Sequence, residues 1–246
     1  MKHIPVLLLV FFSSGTFYAQ KLEGSWKLTH KNGTEINNVE YIRIYQDGYF
    51  AFGGKKTDNN EFTDTGGGEY LLEEDEYTEI PDFYTTDPEK IGKKQTYSLA
   101  ATDKQIVLKQ ANGGTETWTR LSGQKDDLTG NWVITGRANT EGEVREMTPG
   151  DRRTIKILSG GRFQWVAFNS GTKEFHGTGG GTYTAEDGKY TEQITFFSRD
   201  NSRVGASLEF NYEVKDGKWH HSGKSSAGKP IYEIWSRYEE AYVPKE

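Results

Sequence analysis

Leu22-Glu23-Gly24-Ser25-Trp26 returns as Leu128-Thr129-Gly130-Asn131-Trp132, and that return decides how the chain is read. Working outward, Tyr41-Ile42-Arg43-Ile44 returns as Thr154-Ile155-Lys156-Ile157. Asp47-Gly48-Tyr49-Phe50-Ala51-Phe52 returns as Gly160-Gly161-Arg162-Phe163-Gln164-Trp165. Thr65-Gly66-Gly67-Gly68-Glu69-Tyr70 returns as Thr178-Gly179-Gly180-Gly181-Thr182-Tyr183, and Tyr77-Thr78-Glu79 as Tyr190-Thr191-Glu192. Thr117-Trp118-Thr119-Arg120 returns as Ile234-Trp235-Ser236-Arg237. The matches keep their order while their offset drifts only from 106 to 117 residues, which chance does not produce. The period exceeds the roughly 20 to 50 residues of a solenoid repeat and equals one small domain. The expected organisation is a first copy over residues 20–121, a polar linker over 122–127 and a second copy over 128–246, each folding separately.

Inside each copy the local signals are strand and turn. Tyr190, Glu192, Ile194 and Phe196 share one face of a strand, and Thr191, Gln193, Thr195 and Phe197 the other. Leu208, Phe210, Tyr212 and Val214 alternate with Glu209, Asn211 and Glu213, then run into the hairpin signal Asp216-Gly217. Gln46-Asp47-Gly48, Ser159-Gly160-Gly161 and Glu186-Asp187-Gly188 are turns of the same kind. No window carries a long 3.6-residue apolar period. Glycine is plentiful (29), proline (6) and methionine (2) are scarce, and the protein is rich in aromatic residues, the balance of a turn-rich β protein.

The predicted fold class is all-β, with two tandem small antiparallel up-and-down β-barrels. Closing a barrel pairs the first strand with the last. Each copy opens on Gly-x-Trp and ends on Trp-x-Arg: Gly24, Trp26, Trp118 and Arg120, then Gly130, Trp132, Trp235 and Arg237. Pairing of these strands lays Arg120 over Trp26 and Arg237 over Trp132, a cation–π closure. Gly-x-Trp with a late Arg resembles the lipocalin and wider calycin pattern. Together with Gly-Gly-Gly-x-Tyr and Tyr-Thr-Glu, it is similar to lipocalin-like domains of unknown function in secreted bacterial proteins. The resemblance covers nearly all of the chain after residue 19, twice. It implies antiparallel barrels, often with a cavity for a small apolar ligand. The copies are shorter than a typical lipocalin, lack a disulfide and show no obvious C-terminal helix, so barrels filled by their own side chains are the alternative.

The second copy is the expected binding copy. Trp165, Tyr190, Glu192, Phe210 and Tyr212 fall on alternating strand positions that can face one interior, the aromatics giving contact area and Glu192 orientation. A carboxylate on an aromatic face needs a partner, so Glu192, like Glu79, also reads as one half of an internal pair with Arg, Lys or Tyr. Its presence in both copies favours the internal pair. In the first copy Pro81 falls where Ile194 continues the strand, which predicts a shorter or edge strand there. His220 and His221 point to opposite faces of a strand, and no metal-ligand spacing accompanies them or His176, so no metal is expected. The Gly-Gly-Gly runs lack the Lys-Ser/Thr and helix of a phosphate loop and predict bulges or close backbone packing. Glu73-Glu74-Asp75-Glu76 reads as a solvated turn. No catalytic serine, histidine or cysteine arrangement is present, and no cofactor is expected.

Residues 1–19 read as a signal peptide: Lys2 and His3, then the apolar Ile4 to Phe12, then small residues and a Tyr18-Ala19-Gln20 cleavage junction. The apolar run is too short to span a bilayer. Export to the periplasm or beyond is expected, with no transmembrane segment. The chain has no cysteine, so its core alone must hold it together. Net charge is −6 with both signs interspersed, and no basic stripe invites nucleic acid. The expected function is non-catalytic binding of a small, partly apolar molecule; the alternative is an envelope structural or interaction protein with filled barrels.

Overall fold

Tight turns with positive φ at both central residues set the hairpins. The computed structural model describes residues 22–73, 76–225 and 228–242. The predicted signal peptide lies outside the described residues, as do Glu74 and Asp75 of the acidic run. In the first copy the strands are β1 (Gly24–Lys31), β2 (Thr34–Glu35), β3 (Val39–Gln46), β4 (Tyr49–Lys56) and β5 (Phe62–Glu73). They continue with β6 (Glu76–Tyr84), β7 (Gln95–Ala101), β8 (Gln105–Gln110) and β9 (Thr115–Ser122). The second copy repeats the plan with β10 (Gly130–Ala138), β11 (Val144–Glu146), β12 (Arg152–Ser159), β13 (Arg162–Asn169) and β14 (Glu174–Glu186). It ends with β15 (Lys189–Phe197), β16 (Ser207–Lys215), β17 (Lys218–Lys224), β18 (Pro230–Arg237) and one helical turn, α1 (Tyr238–Ala241). Between β16 and β17, Asp216 (φ 52°) and Gly217 (φ 73°) make the turn whose twist matches the strands it joins.

Each copy is a closed eight-stranded antiparallel barrel. β1 pairs with β3 on one side and β9 on the other, and β10 pairs likewise with β12 and β18; β2 and β11 are short additions to β1 and β10. Closure brings Trp26 opposite Arg120 and Trp132 opposite Arg237 in the ladders. The two guanidinium carbons sit 4.0 Å and 3.9 Å from the respective indole centres. Each Arg also donates to a backbone carbonyl just ahead of its Trp, Arg120 to Glu23 and Arg237 to Thr129.

The glycine runs sit at bulges. Register shifts fall between Gly67 and Gly68 and between Gly180 and Gly181. A Cβ at Gly181 would collide with the Gln193 carbonyl oxygen, so the strands approach there as only glycine allows. Pro81 corrects one expectation. β6 is nine residues long, as β15 is, and is an interior strand of the barrel. Pro81 lies opposite Gly68 at the bulge, and the β6–β7 ladder ends at Glu79, so no ladder bond is asked of the missing N–H.

Three cores result. Trp26, Tyr45, Phe50, Tyr70, Tyr77, Ile106 and Trp118 fill the first barrel, and Trp132, Phe163, Tyr190, Phe210, Trp219 and Trp235 belong to the second. The third lies between the barrels, where Ile42, Ile44, Tyr49, Ala51 and Phe83 of one outer wall pack on Val133, Ile155, Ile157, Val166 and Phe168 of the other. Arg153 bridges this seam at 2.7 Å from Asp82, which also accepts from Tyr49 at 2.8 Å and Tyr238 at 3.2 Å. Gln164 reaches Thr65 at 2.8 Å, and Ser159 donates to Gln46 at the same distance. The duplication alone suggests two self-sufficient barrels; the shared core makes each the cover of the other's outer wall.

Candidate functional site: the cavity of the second barrel

Strand direction gives the second barrel two ends. The Trp132–Arg237 closure sits at one, with Tyr212 beside it donating to Asp127 at 3.2 Å. At the other, β10 ends near Arg137, the β15–β16 connection carries Arg199 and Arg203, and the β17–β18 turn carries Ser225. A cavity of about 460 Å³ opens here. Trp165, Phe197, Leu208, Phe210, Ile231 and Trp235 supply its apolar wall. The interior space of the first barrel is about 70 Å³.

A few side chains account for the difference. Ladder register makes Thr154 the counterpart of Tyr41, because Arg43 and Lys156 face Phe52 and Trp165 in the same way. Tyr41 packs edge-on to Phe52 at 6.3 Å, and Tyr84 does so at 5.7 Å. Burial, with the Asp64 carboxylate beside it, pushes the Tyr41 phenol up to about 12. Tyr41 therefore stays neutral and stoppers the first barrel. Thr154 is too small to do so, and Gly177 stands where Asp64 would, both placed by register.

Two ionic clusters are built into the inner wall. Lys156 Nζ lies 2.8 Å from Glu192 Oε1, with both side chains 5–6% exposed. The ammonium also sits 5.2 Å from the Tyr190 and Trp219 ring centres, 5.5 Å from Trp235 and 5.8 Å from Phe163. The first barrel has Arg43 at 2.9 Å from Glu79 in the same places, with Tyr45 and Tyr77 hydroxyls completing that cluster. Glu79 and Glu192 are thus already engaged by the protein.

The second cluster is His221 and Glu233. Glu233 accepts from Arg137, and its Oε2 lies 3.2 Å from Trp235 Nε1 and 3.3 Å from His221 Nδ1. Burial acts to raise the Glu233 pKa, but His221, Arg137 and Lys156 outweigh it and hold the carboxyl down at about 2. Burial lowers the pKa of His221 despite the pull of Glu233. A neutral imidazole that donates a hydrogen bond from Nδ1–H to a carboxylate presents Nε2 as an acceptor. That Nε2 is buried and has no hydrogen-bond partner in the protein. Ladder register puts Leu108 at the corresponding place in the first barrel, opposite Glu116 as His221 is opposite Glu233.

Residues 127–245 match the family model described as Domain of unknown function (DUF4488). The DUF4488 match spans β10 through α1, the barrel that carries the cavity. No curated protein matches the chain.

Of the residues singled out from sequence, Trp165, Glu192 and Phe210 line the cavity. Tyr190 is fully buried beneath it, packed against Trp219 at 5.2 Å, and Tyr212 lies toward the closed end. His220 points outward, with Nδ1 2.8 Å from the Tyr232 hydroxyl, while His221 lines the cavity. Among the described residues, no group of three or more His, Cys, Asp or Glu side chains is arranged to hold a metal. Sequence reasoning missed Lys156, Glu233 and Arg137. Two signals were there to find: Lys156 repeats Arg43 inside a quoted match, and Glu233-Ile234-Trp235 repeats Glu116-Thr117-Trp118.

Proposed function

We propose that the chain is an exported, non-catalytic binding protein of lipocalin-like build, whose second barrel holds one small, partly apolar molecule. The contrast between about 460 Å³ and about 70 Å³ in two barrels of one ancestry carries this reading. A pocket of some hundreds of cubic ångströms, walled by aromatic rings with a few fixed polar groups, suits a small ligand. The acid and base groups inside are tied to one another, which supports binding rather than turnover. Interspersed surface charge supports a partner that is not a nucleic acid.

The test is calorimetric titration of the full chain with 2-methoxynaphthalene, a compact apolar probe. The wild type is expected to bind one equivalent. Thr154→Tyr, which installs the stopper of the first barrel, is expected to abolish binding, and Tyr41→Thr, which alters the first barrel alone, to leave the affinity of the second barrel's site unchanged. No binding by the wild type would favour the second reading, an envelope structural or interaction protein. The packed interior of the first barrel is the observation behind that alternative.

A further inference from the structure

We propose that His221 is a ligand-binding residue: its Nε2 accepts a hydrogen bond from a neutral hydroxyl carried by the apolar molecule held in the second barrel. The inference rests on the cavity reading above and names the chemistry of the ligand's inner end.

Three observations meet at this atom. His221 lines the cavity from β17, 2% exposed, with its ring 4.3 Å from Phe210 and 5.2 Å from Trp219. Nδ1 faces Glu233, which fixes the tautomer and leaves the lone pair on Nε2. Nε2 is buried under the rings of the cavity wall and has no hydrogen-bond partner, so a donor reaches it as those rings shift apart. A buried acceptor left without a donor has lost its water without compensation, and a ligand that supplies the donor recovers that loss. The second barrel has this feature where the first has leucine, and it is also the barrel with room for a ligand.

The class of donor follows from the surrounding charge. The cavity is lined by Arg137, Lys156, Arg199 and Arg203 against two carboxylates, Glu192 and Glu233. An ammonium would meet this cationic excess, whereas an uncharged hydroxyl would not. Flat rings on the wall add that the hydroxyl sits on a ring system: the inferred ligand is phenol-like or a hydroxylated polycycle.

The experiment compares 2-naphthol with 2-methoxynaphthalene, which differ in the donor proton and one methyl group, by calorimetry on the full chain at pH about 7.5. The wild type is expected to bind the naphthol about tenfold more tightly, the scale of one satisfied buried hydrogen bond. His221→Leu, which copies the first barrel, is expected to erase the preference while still binding 2-methoxynaphthalene. Ring ¹⁵N spectra of the unmutated protein provide a second readout. The His221 Nε2 resonance should shift upfield when the naphthol hydroxyl donates to its lone pair, and stay in place with the ether. Equal affinities, or an unmoved Nε2 resonance with naphthol bound, would overturn the role of His221 and leave the cavity reading standing. Failure of both probes to bind would overturn both.

Discussion

The guanidinium carbon of Arg237 lies over Trp132, 3.9 Å from the ring centre, while the indole Nε1 donates to the Leu128 carbonyl at 2.9 Å. The same arrangement at Arg120 and Trp26 closes the first barrel. Trp132→Ala and Trp26→Ala each remove a fully buried indole and are expected to cost about 3–5 kcal/mol. Arg237→Ala and Arg120→Ala remove partly buried groups and should cost toward the lower end of about 0.5–2 kcal/mol. Thermal melts of the four variants check the order, and equal losses for Trp and Arg would contradict it.

Lys156→Met strands the Glu192 carboxylate in an aromatic interior, and Glu192→Leu strands the ammonium. Each single change is expected to cost about 3–5 kcal/mol, whereas the double change should cost much less than their sum. Urea unfolding of the cycle measures the coupling. Additive losses would mean that the pair at 2.8 Å contributes nothing jointly.

Stability should fall on acidification in two windows. His221 in the folded protein has a pKa below its ordinary value of about 6.5, so the unfolded chain binds the proton more readily. Its contribution is complete above about pH 6.5 and is lost as pH falls through the folded value. Lys156, Glu192 and Glu233 are the charged groups facing it. Glu233, held at about 2, gives stability that is complete above the ordinary glutamate value of about 4.3 and is lost as pH falls toward 2. Melting temperatures from pH about 8 to 3 should show both declines, and His221→Leu should remove the first. An unchanged upper decline in that variant would assign it elsewhere.

Residues 20–121 and 127–246 expressed apart would each bare an outer wall, with Ile42, Ile44, Tyr49 and Phe83 on one and Val133, Ile155, Val166 and Phe168 on the other. Arg153 would also lose Asp82. The expected result is self-association or a melting temperature well below that of the full chain, read by light scattering and calorimetry. Two monomeric halves melting like the full chain would show the third core to be dispensable.

Repetition made the strands, turns and barrel closure legible, because a two-residue period and Asp-Gly turns are local signals written twice. The third core was not legible: Ile42, Ile44, Ile155 and Ile157 alternate with Arg43 and Lys156, and sequence cannot say which face of such a strand is the inside. Here the charged residues point inward, where each finds a carboxylate, and the isoleucines point out toward the other barrel. The same inversion hid the cavity's polar half. Tyr190 and Tyr212 have the right parity for the interior but the wrong depth, and depth depends on how strands stagger around the barrel.

The seam between the barrels also divides the labour of motion. β12 and β13 are held from both sides, by the second barrel's interior and by the shared core, whereas β16 turns most of its side chains to solvent. Under the proposed binding function, the breathing that admits a guest would belong to the free flank around β16, while the clamped flank stays in place. Hydrogen exchange should be fast on the first and slow on the second. The filled barrel would then serve its sibling as a brace.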